Sequence, residues 1–356
     1  MYKNNNIVLK NILTLYIKTR LILFFLIIIS SIIFPHVNTF YDSVFNVFDN
    51  EHYLNIAKNG YLFNYQYAFF PLTAILIKYL GKMGFILLNQ LCVISSGYLL
   101  YLLSKKIFNE NDPYFACTIF FISPISVFTC MLYSESLFLF FTLLAYYLYK
   151  TKKHYWLLGI SLGLSTMTRN LGSMLFFTVF IFMCINWFKK KEKFKNILIV
   201  YIPATIISCL YPIYLYIKIG NPLYFAKVQF DCWARISTNV FTIVLDSLKL
   251  LLERPNFLYI FNFILTFTLI GGLFYLLVKN RKNKSHYDMY LYMFLTIISV
   301  CSTIRNTADA TTSFYRYLYG CFPIYFILPQ KKLCTIIHIL LSVFISMIFL
   351  LGIYFF

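Results

Sequence analysis

Residues 171–217 read LGSMLFFTVFIFMCINWF, then KKKEKFK, then NILIVYIPATIISCLYPIYLYI. Each apolar run is close to the roughly 20 residues that a helix needs to cross a hydrocarbon core. Between them stand Lys189, Lys190, Lys191, Lys193 and Lys195. That pattern is a membrane-spanning helical hairpin with its basic turn in the cytoplasm. The same unit repeats outward in both directions. Apolar runs fall at 19–36, 84–104, 114–130, 133–149, 156–170, 171–188, 197–217, 257–278, 288–304, 314–329 and 333–355, and the run 68–80 is either a twelfth span or a re-entrant element. The expected fold is an all-α integral membrane protein with about eleven transmembrane helices (ten to twelve). Residues 1–356 are expected to form a single polytopic domain.

Composition supports this. Only 12% of residues are charged and 60% are hydrophobic, whereas a soluble domain carries about 25% charged residues. The net charge of +19 does not point to nucleic acid, because the basic residues lie in short clusters between apolar runs. With the N-terminus cytoplasmic, 20 of the 31 basic residues fall on cytoplasmic segments. These are Lys3, Lys10, Lys18 and Arg20, then the clusters at 105–106, 150–153, 189–195, 279–284 and 331–332. The opposite side takes eight of the twelve acids: Asp42, Asp49, Glu51, Glu135, Asp231, Asp246, Glu253 and Asp309. The sequon Asn283-Lys284-Ser285 lies on the cytoplasmic side, where it is inert. The run after Arg20 is followed by no small-residue cleavage site, so a retained signal anchor is expected. The nine cysteines form no C-x-x-C pair and mostly sit in apolar runs, as small buried hydrophobes do.

Two far-side segments are long, 37–83 and 218–256, and long polar-aromatic loops on one face of a bundle commonly carry function. In the first, Tyr53, Ile56, Ala57 and Gly60 follow helical spacing, which predicts a short helix lying in the membrane interface. Asp49, Glu51 and His52 are the candidate catalytic residues there. Asp49 and His52, three apart, share a face, while Glu51 points elsewhere. A carboxylate at this surface can take a proton from an acceptor hydroxyl; the structural alternative for Asp49 is a helix N-cap. Glu135, Arg169 with Asn170, Gln229 with Trp233 and Arg235, and Arg316 are the candidate substrate-binding residues. Three arginines from separate elements reach one membrane face, and guanidinium groups bind phosphate as planar forks. For each arginine alone, snorkelling to the headgroups is the structural alternative. For Glu135 it is an acid favoured by the dipole at a helix N-terminus. No cluster of His, Cys and carboxylate has metal-ligand spacing, so neither a metal nor another cofactor is expected.

These residues resemble the PIG-V family of GPI mannosyltransferases, within the multi-spanning GT-C glycosyltransferases. The resemblance rests on Asp49, His52, Tyr53-Leu54, Ile56-Ala57, Gly60-Tyr61 and Ala68-Phe69-Phe70-Pro71. Tyr133-Ser134-Glu135-Ser136, Arg169-Asn170-Leu171-Gly172, and Arg316 ahead of Phe322-Pro323 extend it. Phe48 stands where the family carries Trp. Gly220-Asn221-Pro222, Gln229 and Trp233-Ala234-Arg235 are closer to prokaryotic relatives. The resemblance implies transfer of mannose from dolichyl-phosphate-mannose to the first mannose of the GPI precursor, through an α-1,6 bond, in the endoplasmic reticulum membrane. It implies Asp49 as the catalytic carboxylate. The implied partners are the donor, the GPI precursor lipid, membrane lipids and a small accessory membrane subunit, with no nucleic acid. Two alternatives stay open: a polyprenyl-phosphate-sugar glycosyltransferase of a prokaryotic plasma membrane, and a lipid or small-molecule transporter.

Overall fold

The computed structural model describes residues 2–33, 48–108, 110–239, 241–279, 284–307 and 309–350. The chain is predominantly helical. Helix α1 (Tyr2–Ile33) is followed by the short α2 (Asp49–Asn59), a 3-10 turn at Asn64–Ala68, and the long α3 (Pro71–Leu103). Proline opens α3 at a position that needs no amide hydrogen. Gly81 interrupts it with φ 70° and ψ 173°, a backbone region nearly confined to glycine. The run 68–80 is therefore the first arm of one kinked helix, continuous across Gly81 with the run at 84–104.

Helices α5 (Glu135–Thr151), α6 (Tyr155–Thr168), α7 (Gly172–Phe188) and α8 (Phe194–Ile219) zigzag between a lysine-rich end and the opposite end. Helix α6 lies hard against α8. A Cβ built on Gly159 meets the Val200 carbonyl oxygen at 2.1 Å, and one on Gly163 meets Ile207 Cβ at 2.6 Å. Glycine at this four-residue spacing lets the two backbones approach, as small residues do in membrane bundles. Gly220, left-handed at φ 80°, ends α8. The chain then passes through α9 (Tyr224–Asp231), strand β1 (Arg235–Ser237), α10 (Ile243–Glu253), α11 (Phe257–Lys279), α12 (Tyr287–Cys301) and strand β2 (Thr303–Arg305). It closes with α13 (Phe314–Gly320), α14 (Ile324–Ile327) and α15 (Lys332–Leu350).

Among the described residues, four helices are long and apolar enough to cross a bilayer: Pro71–Phe108, Phe194–Ile219, Phe257–Lys279 and Lys332–Leu350. Gly172–Phe188 and Tyr287–Cys301 are apolar but shorter. Only 22% of the apolar window in α8 and 17% of that in α11 is buried inside the protein, against 50% for α3. Lipid is the solvent for the remainder, as expected of a multi-pass membrane protein. The described elements do not establish eleven separate crossings. The run at 114–130 is not one helix: α4 (Phe115–Phe121) gives way to turns and a 3-10 segment at Phe128–Cys130. The run at 314–329 is split into α13 and α14 at Cys321-Phe322-Pro323. The first helix begins at Tyr2, well before 19, and residues 34–36 lie outside the described residues, as do 37–47 of the first far-side loop, 351–355 of the last run, Arg281 and Lys282 of the basic clusters, and Asn283 of the sequon.

Broken backbone at membrane depth needs polar partners from within the protein. The segment 122–134 finds them on three helices. Arg20 of α1 donates to the Ser126 carbonyl at 3.0 Å and to Thr129 Oγ1 at 2.8 Å. From α3, Asn89 donates to the Met131 carbonyl at 2.6 Å and Gln90 to that of Thr129 at 2.9 Å. From α2, Asn50 accepts from the Leu132 amide at 3.1 Å. Arg20 thus departs from its expected place among the cytoplasmic cations. It lies nine residues, or about 14 Å of helix rise, beyond Asn11, which bonds Tyr114 near the lysine-rich end.

Candidate active site

Phe48 carries a positive φ of 51°, rare for a bulky residue, and this turn makes Asp49 the first residue of α2. The helical repeat then sorts its side chains. Asp49, His52 and Tyr53 line a cavity of about 430 Å³, whereas Asn50 is buried against the broken segment and Glu51 is exposed away from the cavity. Asp49 stands inside the helix rather than at its N-cap, which is Phe48. Its carboxylate accepts from Arg316 Nη2 at 2.9 Å.

Arg316 comes from α13, whose entry at Ser313 is again left-handed (φ 68°). Its Nη2 and Nε both donate to Glu135 Oε1, at 2.7 and 3.1 Å. Arg169, in the tight turn between α6 and α7, donates to the same oxygen at 2.6 Å. Gly172 makes that turn possible, since a Cβ there would stand 2.4 Å from the Ser165 carbonyl carbon. Exposure rises along the string: Glu135 0%, Arg316 5%, Arg169 14%, Asp49 27%. Glu135 does not line the cavity. It is the dry anchor beneath two arginines, and two carboxylates cancel two guanidinium charges. Aromatic faces complete the desolvation. Arg316 lies 4.6 Å over Phe128 and 4.9 Å over Tyr133, and Arg169 lies 5.0 Å over Tyr317.

Aromatic rings form another wall. His52 packs against Phe69 at 5.0 Å, Tyr65 at 5.4 Å and Trp233 at 5.8 Å, and Trp233 donates to the Tyr65 carbonyl at 3.0 Å. Phe70, Phe225 and Gln229 also line the cavity, as does Asn170. After Trp233, left-handed Ala234 (φ 51°) turns the chain into β1. That strand pairs antiparallel with β2, and Arg235 stands directly opposite Arg305. Beyond the ribbon, Thr238 and Thr242 donate to Asp246 at 2.6 and 2.9 Å and draw its carboxyl below the usual carboxylate range.

Of the sequence-predicted residues, Asp49, His52, Arg169, Asn170, Gln229, Trp233, Arg235 and Arg316 line the one cavity, while Glu51 and Glu135 do not. Sequence reasoning missed Ser134, Thr303, Arg305 and Tyr53, which line it too. Arg305 directly follows the apolar run 288–304, as Arg169 stands where the run 156–170 gives way to 171–188; that signal was available.

Residues 63–217 match the family described as dolichyl-phosphate-mannose-protein mannosyltransferase. The match covers less than half of the chain. The matched stretch includes Glu135, Arg169, Phe69 and Phe70, while Asp49, the ribbon and Arg316 come from segments outside it. Among curated proteins, GPI mannosyltransferase 2 of Drosophila pseudoobscura pseudoobscura is 29% identical over 26% of this chain and 24% of its own length. The chain thus spans about a quarter of that relative's length. No solved structure matches it.

Proposed function

We propose that this protein transfers mannose from dolichyl-phosphate-mannose to the first mannose of a GPI-anchor precursor, on the lumenal face of the endoplasmic reticulum membrane. The observation that carries the reading is the string Glu135–Arg316–Asp49, which ends on a cavity walled by aromatic rings at the end of the bundle opposite the lysine clusters. The likeness to GPI mannosyltransferase 2 supports the second-mannose step.

In this mechanism the acceptor hydroxyl oxygen bonds to the anomeric carbon of mannose as that carbon's bond to the phosphate oxygen breaks. The hydroxyl proton passes to Asp49, and the electron pair departs on the lipid phosphate. Arg316 is a positioning residue: its bond to Oδ2 fixes the direction of the Asp49 carboxylate. The aromatic wall of His52, Phe69 and Trp233 offers apolar faces to the sugar ring and excludes water.

The test is transfer of radiolabelled mannose by the full chain in lipid nanodiscs. Asp49→Asn is expected to lower the rate at least about 100-fold, the usual span of a general base, with insertion and yield unchanged. Wild-type rate in that variant removes Asp49 as the base. Supplying dolichyl- or undecaprenyl-phosphate-mannose, and single-mannose GPI precursor or simple mannosides, sets donor and acceptor. Depleted cells should accumulate the single-mannose precursor; normal GPI glycans in such cells would exclude the second-mannose step.

A further inference from the structure

Arg305 has no part in the mechanism above, yet it is built into the cavity with care. It sits on β2 directly opposite Arg235 of β1, and both line the cavity. Directly opposed residues in an antiparallel pair project to one face about 5 Å apart, and like charges there work against the pairing. The strands are only three residues each, so the ribbon has few backbone bonds to offset that repulsion. The register is nonetheless pinned at both ends. The Asn306 amide donates to the Ala234 carbonyl at 2.7 Å and the Thr238 amide to that of Ser302 at 3.0 Å. Both side chains are also oriented. Arg305 Nη1 meets Asp309 Oδ2 at 2.6 Å, and Asp309 is steadied by Thr312 Oγ1 at 2.8 Å. Arg235 lies 5.9 Å over Phe314, with Nη2 3.5 Å from the Thr312 carbonyl oxygen.

Four arginines and a single aspartate stand among the described residues lining this cavity. Such a lining attracts anions. Arg316 commits Nε and Nη2 to Glu135 and Asp49, and Arg169 commits Nη1 to Glu135, so that pair serves the carboxylates. Two guanidinium groups carried at directly opposed positions of one ribbon suit a tetrahedral oxyanion. An anion seated there also removes the repulsion that opposed arginines impose.

We propose that the Arg235–Arg305 ribbon is a phosphate clamp that grips a lipid-borne phosphodiester and holds it while the sugar leaves. The assignment rests on the transferase reading, since the phosphate is taken to be the donor's. A phospholipid acceptor carries the same chemistry, and the test separates the two.

Binding of polyprenyl phosphate, of polyprenol of equal chain length and of phosphatidylinositol is measured on the purified full chain, alongside mannose transfer. Wild type is expected to bind polyprenyl phosphate most tightly. Arg235→Gln and Arg305→Gln should each weaken that binding about tenfold or more, with polyprenol binding unchanged. Transfer should show a raised KM for donor with kcat less affected. Arg305→Lys keeps the charge and the Asp309 ion pair but not the fork; it should lose several-fold in affinity and carries the test if the Gln variants do not survive purification. Asp309→Asn, which removes the carboxylate charge beside Arg305 but keeps an acceptor for Thr312, should keep tight binding. Equal affinity for wild type and the arginine variants overturns the clamp. Loss of phosphatidylinositol binding alone overturns its assignment to the donor. A wild-type protein that binds polyprenyl phosphate through these arginines but transfers no mannose leaves the clamp standing and sinks the transferase reading.

Discussion

At the lysine-rich end of the bundle Lys150 meets Asp288 at 2.9 Å, while Lys189, Lys190, Lys191, Lys193 and Lys195 stand exposed. At the other end Arg169 and Arg316 converge on one oxygen of Glu135 at 2.6 and 2.7 Å, and that carboxylate is wholly out of solvent. The lysine-rich end has more charge; the cavity end has the drier charge. Solvated lysines set orientation through their number and interact weakly with any partner. Buried groups interact strongly, and removing one leaves its partner stranded. Chemistry that moves a proton and stabilises a leaving phosphate needs the second kind.

Substitutions can break this contrast or sharpen it. Glu135→Gln should have the largest effect on stability, about 3–5 kcal/mol, because two buried guanidinium groups lose their shared counter-charge; thermal unfolding in detergent measures it, and a loss below 1 kcal/mol would mean water already reaches the pair. Between the two ends, Gly159→Ala drives a methyl into the Val200 carbonyl and should cost about 1–3 kcal/mol as α6 and α8 move apart. It should also slow transfer by shifting Arg169, as a rate assay would record. Asp288→Asn at the lysine-rich end should cost about 1–2 kcal/mol, since Asp288 is buried and also accepts from Tyr146 and the Met289 amide, although Lys150 can extend its charge into water. Lys190→Gln should change stability by less than about 0.5 kcal/mol and leave transfer untouched; a large loss would mean this turn binds something.

Much of the helical layout was legible because apolar length and lysine position report directly on lipid and leaflet. The shared face of Asp49 and His52 followed from helical spacing, and so did the departure of Glu51 from it. The breaks were not legible. Residues 114–130 are as apolar as a span, and only the polar side chains of Arg20, Asn50, Asn89 and Gln90, from distant sequence, reveal that this backbone needs external partners. Glu135 was read as a ligand contact because sequence gives depth along a helix but not which side chain lies above another. The ribbon escaped because three-residue strands carry no period, and its register exists only once segments some seventy residues apart are brought together.

Arg20 also bears on biogenesis. Its acceptors at Ser126 and Thr129 lie 106 and 109 positions further along the chain. While the ribosome works through that interval, a nascent chain holds a guanidinium whose final partners do not yet exist, directly before the apolar stretch Leu21–Ile29. An arginine in that position is expensive in lipid. The leading helix must therefore wait beside the insertion machinery or ride high in the headgroups, and settle only when the broken segment emerges to receive it.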